Sequence, residues 1–322
     1  MVRTTLNYFL ELEDGGDLSY LAGTVGEKRR KYRPAEVLVQ DIRGREQDFA
    51  LDRNGFQLVQ HDSLEKSFDD EDRITTQYYA DCIELVKQIT GAAKVKVFGH
   101  IIRRRSWEAA FEAEKHLPDD ARSVGPSNAR FVHCDQSYNS GRRRVLRDFP
   151  EEAHRIDTIR WATINVWRPF DHAVTRDALC FADHSSICED ELRYITLRFP
   201  ATNPSVSGAR AATRSIYGQG AAVPPPQQRD KADERQQADY YARPSDNTAV
   251  ESLQCAAPKS PDQHKWYYIS AMQPSEALLL KISGSKIDGT ANRCFHTSFV
   301  SDTDHGPERH SLEVRCSVIW ED

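Results

Sequence analysis

Two side chains able to bind a metal stand two apart in the stretch ARFVHCDQSYNSG, residues 129–141: His133 and Asp135. In an extended chain successive side chains alternate between faces, so His133 and Asp135 point one way and Cys134 the other. A third candidate, His296, sits in CFHTSF about 160 residues downstream. Two histidines and one carboxylate can hold ferrous iron on one octahedral face and leave three positions open for a co-substrate and oxygen. Taken alone, a His-x-Asp triplet equally fits a surface strand with a local hydrogen bond, and a lone strand histidine fits a satisfied core residue.

A further pair completes the pattern. Arg309 in RHSLEVR lies 13 residues after His296, and Ser311 stands two beyond it. A guanidinium fork beside a hydroxyl suits a buried carboxylate. In oxygenases that use 2-oxoglutarate, an Arg-x-Ser in this place binds the far carboxylate of that co-substrate. On a strand Arg309, Ser311, Glu313 and Arg315 share one face. A salt bridge from Arg309 to Glu308 or Glu313, or co-substrate binding by Arg315 instead, stays open.

These residues can meet only if an early and a late strand are brought together, as they are at the mouth of a double-stranded β-helix. The elements suit that architecture. DDEDRITTQYYADCIELVKQITGA (69–92) reads as a helix, with acids at its start, Tyr79, Cys82, Ile83, Val86 and Ile89 at three-to-four spacing, and Gly91 at its stop. KVKVFGHIIRR (94–104) reads as a strand and SWEAAFEAEKHL (106–117) as a second helix. β-branched and aromatic runs at 157–170, 177–187, 264–283, 291–300 and 309–320 read as strands. Short strands following an initial helical section predict an α+β fold: a double-stranded β-helix (jelly roll, cupin-like) core with flanking helices. The expected organisation is one domain over 1–322. It comprises N-terminal strands and helices (1–125), a jelly-roll core (126–202 and 251–322), and an Ala-, Gln- and Pro-rich insertion or lid at 203–250.

Composition narrows the function classes. The formal net charge is -6, which gives no global reason to bind nucleic acid or an anionic membrane. The basic clusters EKRRKYR (27–33), RRRS (103–106) and GRRRVLR (141–147) read as solvated faces and salt-bridge partners, with anion steering toward a site as the alternative. No apolar run reaches membrane-spanning length, and the N-terminal residues lack the pattern of a secretory leader, so a cytoplasmic location is expected. Seven cysteines, an odd number without CxxC pairs, exclude a complete disulfide framework and zinc-finger spacing and suggest reduced thiols. A homodimer is compatible with the sequence, which does not fix the oligomeric state.

The phrases QITGAAKVKVFGHIIRR, GPSNARFVHCDQS, INVWRPF, ALCFADHSSI, HKWYYISAMQPSEALLLKISGS, CFHTSF and RHSLEVR, in that order between about residues 77 and 320, carry a resemblance. The chain resembles the fungal and bacterial hydroxylase/desaturase family that includes the cephalosporin 7α-hydroxylase component and gibberellin-desaturase-like proteins. It departs from the family at Gly284-Ser285, where an Asp-Ser is usual, and in the long 203–250 stretch. The resemblance implies a non-heme Fe(II)/2-oxoglutarate-dependent oxygenase of secondary metabolism that acts on a small molecule. Hydroxylation, desaturation or oxidative ring formation would release succinate and CO2, with Fe(II) as cofactor and 2-oxoglutarate and O2 as co-substrates. His133, Asp135 and His296 fall on the family's iron-ligand positions, and Arg309 and Ser311 on its Arg-x-Ser. Tyr138, Trp167 and Arg168 are candidate substrate contacts, while His184 reads as a structural hydrogen-bonder. Two other classes compete: a jelly-roll small-molecule binding protein that has lost turnover, and a metal-dependent cupin-type hydrolase or isomerase.

Overall fold

Alternation along the last strand sets the architecture. In Ser311–Ile319, residues Leu312, Val314, Cys316 and Val318 join a cluster with Ile74, Tyr78, Cys82 and Val86, while Ser311, Glu313, Arg315 and Ser317 point the other way. Both faces are buried. The apolar face therefore packs on a helix outside the sheet, and the polar face turns into the interior.

The computed structural model describes residues 1–199 and 249–321; all but the last two residues of the expected 203–250 insertion lie outside the described residues. The strands are β1 (Val2–Tyr8), β2 (Ser19–Leu21), β3 (Arg33–Asp41), β4 (Phe56–Gln60), β5 (Lys94–Arg103), β6 (Trp161–Pro169), β7 (Leu179–Ala182), β8 (Leu192–Arg198), β9 (Ala249–Cys255), β10 (Trp266–Tyr268), β11 (Glu276–Gly284), β12 (His296–Ser298) and β13 (Ser311–Ile319). They form two five-stranded sheets, ordered β1-β3-β10-β7-β12 and β4-β11-β6-β13-β5, and a three-stranded sheet β2-β8-β9. One apolar cluster joins the two large sheets: Val37, Val39, Phe181 and Trp266 from one meet Phe56, Leu278 and Leu280 from the other. Each such fully buried side chain contributes roughly 1.5–3 kcal/mol. This is a jelly roll of the α+β class.

The helix expected at 69–92 runs from Glu71 to Thr90, with a π segment at Ile74–Tyr78. Asp70 caps its start by accepting from the Asp72 and Arg73 amides, and Gly91, at φ 68°, ends it. The helix expected at 106–117 is Trp107–Glu114, capped by Ser106.

Three expectations need correction. The His-x-Asp segment is not a strand: His133 bridges β12 at His296, while Cys134 bridges β9 at Leu253. Its backbone changes partner between adjacent residues, so no continuous ladder forms, although the alternation of side chains survives. Second, GRRRVLR is only in part a solvated face: Arg143 is exposed and Arg142 and Arg144 enter salt bridges as expected, with Asp157 and Asp148, but the run is not outside the fold. It belongs to a helix, Tyr138–Asp148, that packs on β6, β11 and β13 and buries Arg144. Arginine-rich composition hid a 140/144/147 face pressed against the protein. Third, Arg309 precedes β13, which begins at Ser311.

The Tyr138–Asp148 helix approaches β11 so closely that a Cβ on Gly141 would lie 1.8 Å from Ser283 Oγ. Helix propensity alone favours alanine over glycine by about 0.5–1 kcal/mol; the clash opposes it. Gly141→Ala is expected to lower stability by about 1–3 kcal/mol, seen as a lower melting temperature, with Ser283→Gly in the same chain restoring part of the loss. A Gly141→Ala protein as stable as the parent would show that the helix does not sit this close.

Candidate active site

The bridge between His133 and His296 is reciprocal: each backbone N–H donates to the other's carbonyl, at 3.2 and 2.9 Å. The two imidazoles are thereby set side by side, 4.5 Å between ring centroids. Asp135 stands beside them, with Oδ1 3.5 Å from His133 Nε2 and 3.7 Å from His296 Nε2. One ligand atom from each of the three lies within 4.8 Å of the others, spacing that suits a single metal ion.

Both histidines are oriented by one device. His133 Nδ1 meets the Phe131 carbonyl at 2.9 Å and His296 Nδ1 the Cys294 carbonyl at 3.1 Å, in each case two residues back. A carbonyl only accepts, so each Nδ1 carries the proton and each Nε2 presents a lone pair toward Asp135. Burial, and then the neighbouring His133, pull the His296 imidazole below its usual range, which favours the neutral ligating form.

Asp135 uses its two oxygens differently. Oδ2 accepts from Asn165 Nδ2 at 2.8 Å and lies 3.3 Å from an Arg315 nitrogen. Oδ1 is left to the histidines. Burial alone would raise this carboxyl; the Arg315 charge holds it well below the usual carboxylate range. Arg315 is itself set by Glu313, whose carboxylate accepts from its Nε at 2.8 Å. Asn165 escaped the sequence reading, and Glu313, expected as a possible partner of Arg309, pairs with Arg315 instead. A signal existed, since Asn165 interrupts the apolar run TINVW at an inward position of β6.

Arg309 is buried. Its guanidinium donates to Asn128 Oδ1 at 2.7 Å and to the Asp177 carbonyl, and lies over the Trp167 ring at 5.4 Å from the centroid. Burial pulls the guanidinium down to about 9, the sign for a desolvated cation short of counter-charge. Its Nε and the Ser311 Oγ are buried with no hydrogen-bond partner. Two orphaned donors, one just before β13 and one on its first residue, fit a carboxylate ligand.

A cavity of about 710 Å³ opens onto His133 and Asp135, while His296, Arg309 and Ser311 lie outside its wall. His133, Asp135, Asn165 and Arg315 form part of its wall, with Phe98, Trp107 and Phe131 as aromatic lining. Its size falls in the range of small-molecule sites. The three candidate substrate contacts do not line it. Tyr138 is 44% exposed and packs on Trp161. Trp167 supports Arg309 and borders a small apolar void with Val174 and Phe181. Arg168 faces the opposite side of β6, where it donates to the His61 and Pro274 carbonyls and lies over Tyr78. His184 is likewise remote from the triad, and burial pulls its imidazole down to about 4. Cys134 and Cys294 turn away, their thiols directed at the Ile282 and Ala182 carbonyls.

Asn165 is a positioning residue for Asp135. Asn165→Leu is expected to weaken divalent-metal binding about 10–100-fold, read by chelator competition, with the fold preserved. Unchanged affinity would show that Arg315 alone orients the carboxylate.

A family model described as "Oxidoreductase/YMDC permease-like domain" matches residues 6–217 and 232–319. Hydroxylase/desaturase CTB9 of Cercospora beticola is 39% identical over 322 residues, covering 98% of this chain and 86% of that protein. Hydroxylase/desaturase efuI of Hormonema carpetanum is 35% identical over 323 residues, covering 100% and 96%. The alpha-ketoglutarate-dependent dioxygenase phiK of a fungal species (strain ATCC 74256) is 27% identical over 324 residues, covering 99% and 96%. Among solved structures, the iron and alpha-ketoglutarate-dependent endoperoxidase NvfI has the same fold, with a TM-score of 0.70 at 20% identity over 99% of this chain and 98% of its own. With identities of 35–39% along essentially its whole length, this chain belongs to the hydroxylase/desaturase family of oxidoreductases.

Proposed function

We propose that the protein is a non-heme Fe(II)/2-oxoglutarate-dependent oxygenase. It oxidises an unactivated C–H bond of a small molecule of secondary metabolism, by hydroxylation, desaturation or oxidative ring formation, and releases succinate and CO2. The observation that carries this reading is the convergence of two Nε2 lone pairs and one free carboxylate oxygen, each fixed by its own supporting hydrogen bond. The names of the relatives, hydroxylase/desaturase and alpha-ketoglutarate-dependent dioxygenase, support the same chemistry.

His133, Asp135 and His296 would hold the metal. When bound, ferrous iron supplies the coupling of oxygen activation to oxidative decarboxylation of the 2-oxo acid. The chain's own residues bind, orient and shield. Arg309 and Ser311 take the far carboxylate of 2-oxoglutarate, because their orphaned donors face no protein acceptor. Arg315 is the poorer candidate, since it already serves Asp135 and Glu313. Phe98, Trp107 and Phe131 hold the substrate's apolar body and keep water from the reacting carbon. Where that carbon rests sets which of the three outcomes follows. We place the enzyme in the cytoplasm, a reading supported by seven free cysteines. Among the described residues no helix is long and apolar enough to cross a membrane.

Protein handled without oxygen, then given Fe(II) and 2-oxoglutarate, is expected to show a visible metal-to-ligand charge-transfer band. His296→Ala should abolish the band, and Arg309→Ala should raise the 2-oxoglutarate concentration needed for it by at least about tenfold, the worth of a charge-assisted pair. A parent protein that binds iron yet shows no band would end the 2-oxoglutarate reading.

A further inference from the structure

Arg309 is a buried cation whose hydrogen-bond partners are all neutral. A buried charge is ordinarily paired with an opposite one. Two carboxylates lie within electrostatic reach of it, those of Asp177 and Glu313, and both are engaged elsewhere. Glu313 accepts from Arg315 Nε at 2.8 Å. Asp177 Oδ1 accepts from Arg130, whose guanidinium also donates to Glu108 at 3.0 and 3.2 Å. Asp177 Oδ2 accepts from Asn128 Nδ2 at 3.4 Å. Arg309 itself donates to the Asn128 amide oxygen at 2.7 Å and to the Asp177 backbone carbonyl.

Asn128 is the residue that makes this arrangement possible. A carboxylate only accepts and a guanidinium only donates, so Asp177 fixes the amide nitrogen on its own side and Arg309 fixes the amide oxygen on the other. The amide stands between the two charges and keeps them from pairing, while it aims the guanidinium. Asn128 is fully buried and belongs to the wall of the 710 Å³ cavity, on the side of it that leads to Arg309. The backbone beneath it is constrained as well. Asp177 has φ 52°, in the left-handed region that few residues other than glycine adopt. Its N–H donates to Asp304 Oδ2 at 3.1 Å, and its carbonyl is the one that meets Arg309. Such a conformation persists where the surroundings over-determine it, and it collects at ligand clamps.

We infer that Asn128, seated on Asp177, is a positioning residue for the co-substrate: it holds the Arg309 guanidinium through a neutral acceptor and so reserves its charge for the far carboxylate of a 2-oxo diacid. Asn128 thereby helps to decide which 2-oxo acid the enzyme accepts. The inference rests on the oxygenase reading above; the diversion of both protein carboxylates from Arg309 does not.

The test compares 2-oxoglutarate with 2-oxopentanoate, which has the same carbon chain and no far carboxylate. Both are titrated into the full chain loaded with Fe(II) without oxygen, and the charge-transfer band is read. The parent is expected to need at least about tenfold less 2-oxoglutarate than 2-oxopentanoate. Asn128→Asp keeps the shape and gives Arg309 a carboxylate inside the protein; Asn128→Leu removes the acceptor. Each should erase most of the preference, while the 2-oxopentanoate titration and the iron affinity, measured by chelator competition, stay as in the parent. An asparagine that serves packing alone would lower both acids together. Three results overturn the inference and leave the oxygenase standing: no preference in the parent, a preference that survives in either variant, or a loss that falls equally on the two acids. A parent that binds iron and gives no band with either acid ends the oxygenase reading, and this inference with it.

Discussion

A carboxylate held in the cavity wall inside a jelly roll is the constraint on which the rest of the structure turns. Asp135 sits in the cavity wall with 13% of its side chain exposed, and an isolated charge so far withdrawn from bulk water is costly. It persists because Asn165 and Arg315 meet one oxygen, with Glu313 behind Arg315, while the other oxygen is left facing the lone pairs of the two imidazoles. Asn165, His296, Glu313 and Arg315 sit at inward positions of β6, β12 and β13, and His133 bridges β12, so the network exists only if those strands hold their register. A shift of one residue in β13 would send Glu313 and Arg315 into the apolar cluster and Leu312 and Val314 into the site.

That explains why the outer surface of the sheet is so apolar. Val314, Cys316 and Val318 pack on Tyr78, Cys82 and Val86 of the Glu71–Thr90 helix. The barrel interior gives up part of its hydrophobic gain to polar chemistry, and the helix on the outside supplies apolar burial in its place. Fold and site are thus two faces of the same strand.

Much of this was legible in the sequence. Acids at 69–72 with a 3.6-residue apolar period announced the helix, and alternation in RHSLEVR announced an inward polar face. The order His-x-Asp, distant His, Arg-x-Ser pointed to residues that the fold does place on neighbouring elements. What was not legible depended on partners far along the chain. The segment at 131–135 looked like a strand because local alternation cannot reveal that it bridges β12 and β9 in turn. GRRRVLR looked solvated because charge count says nothing about Asp148 and Phe98 waiting to receive Arg144. Arg168 looked like a pocket residue because strand parity, which turns it outward toward Tyr78 and His61, was not carried through from Trp167.

The bridge between His133 and His296 also does something unrelated to metals. β12 is a three-residue strand at the margin of its sheet, with β7 as its sheet neighbour. Its other side is met by the segment that carries His133: Ser298 N donates to the Ala129 carbonyl and the two histidines exchange backbone bonds. The ligand-bearing segment is thus the cover over a sheet edge that would otherwise offer unsatisfied amides to any passing chain. Local opening at the site and exposure of an aggregation-prone edge are one event, which ties the protein's solubility to the integrity of its chemical centre.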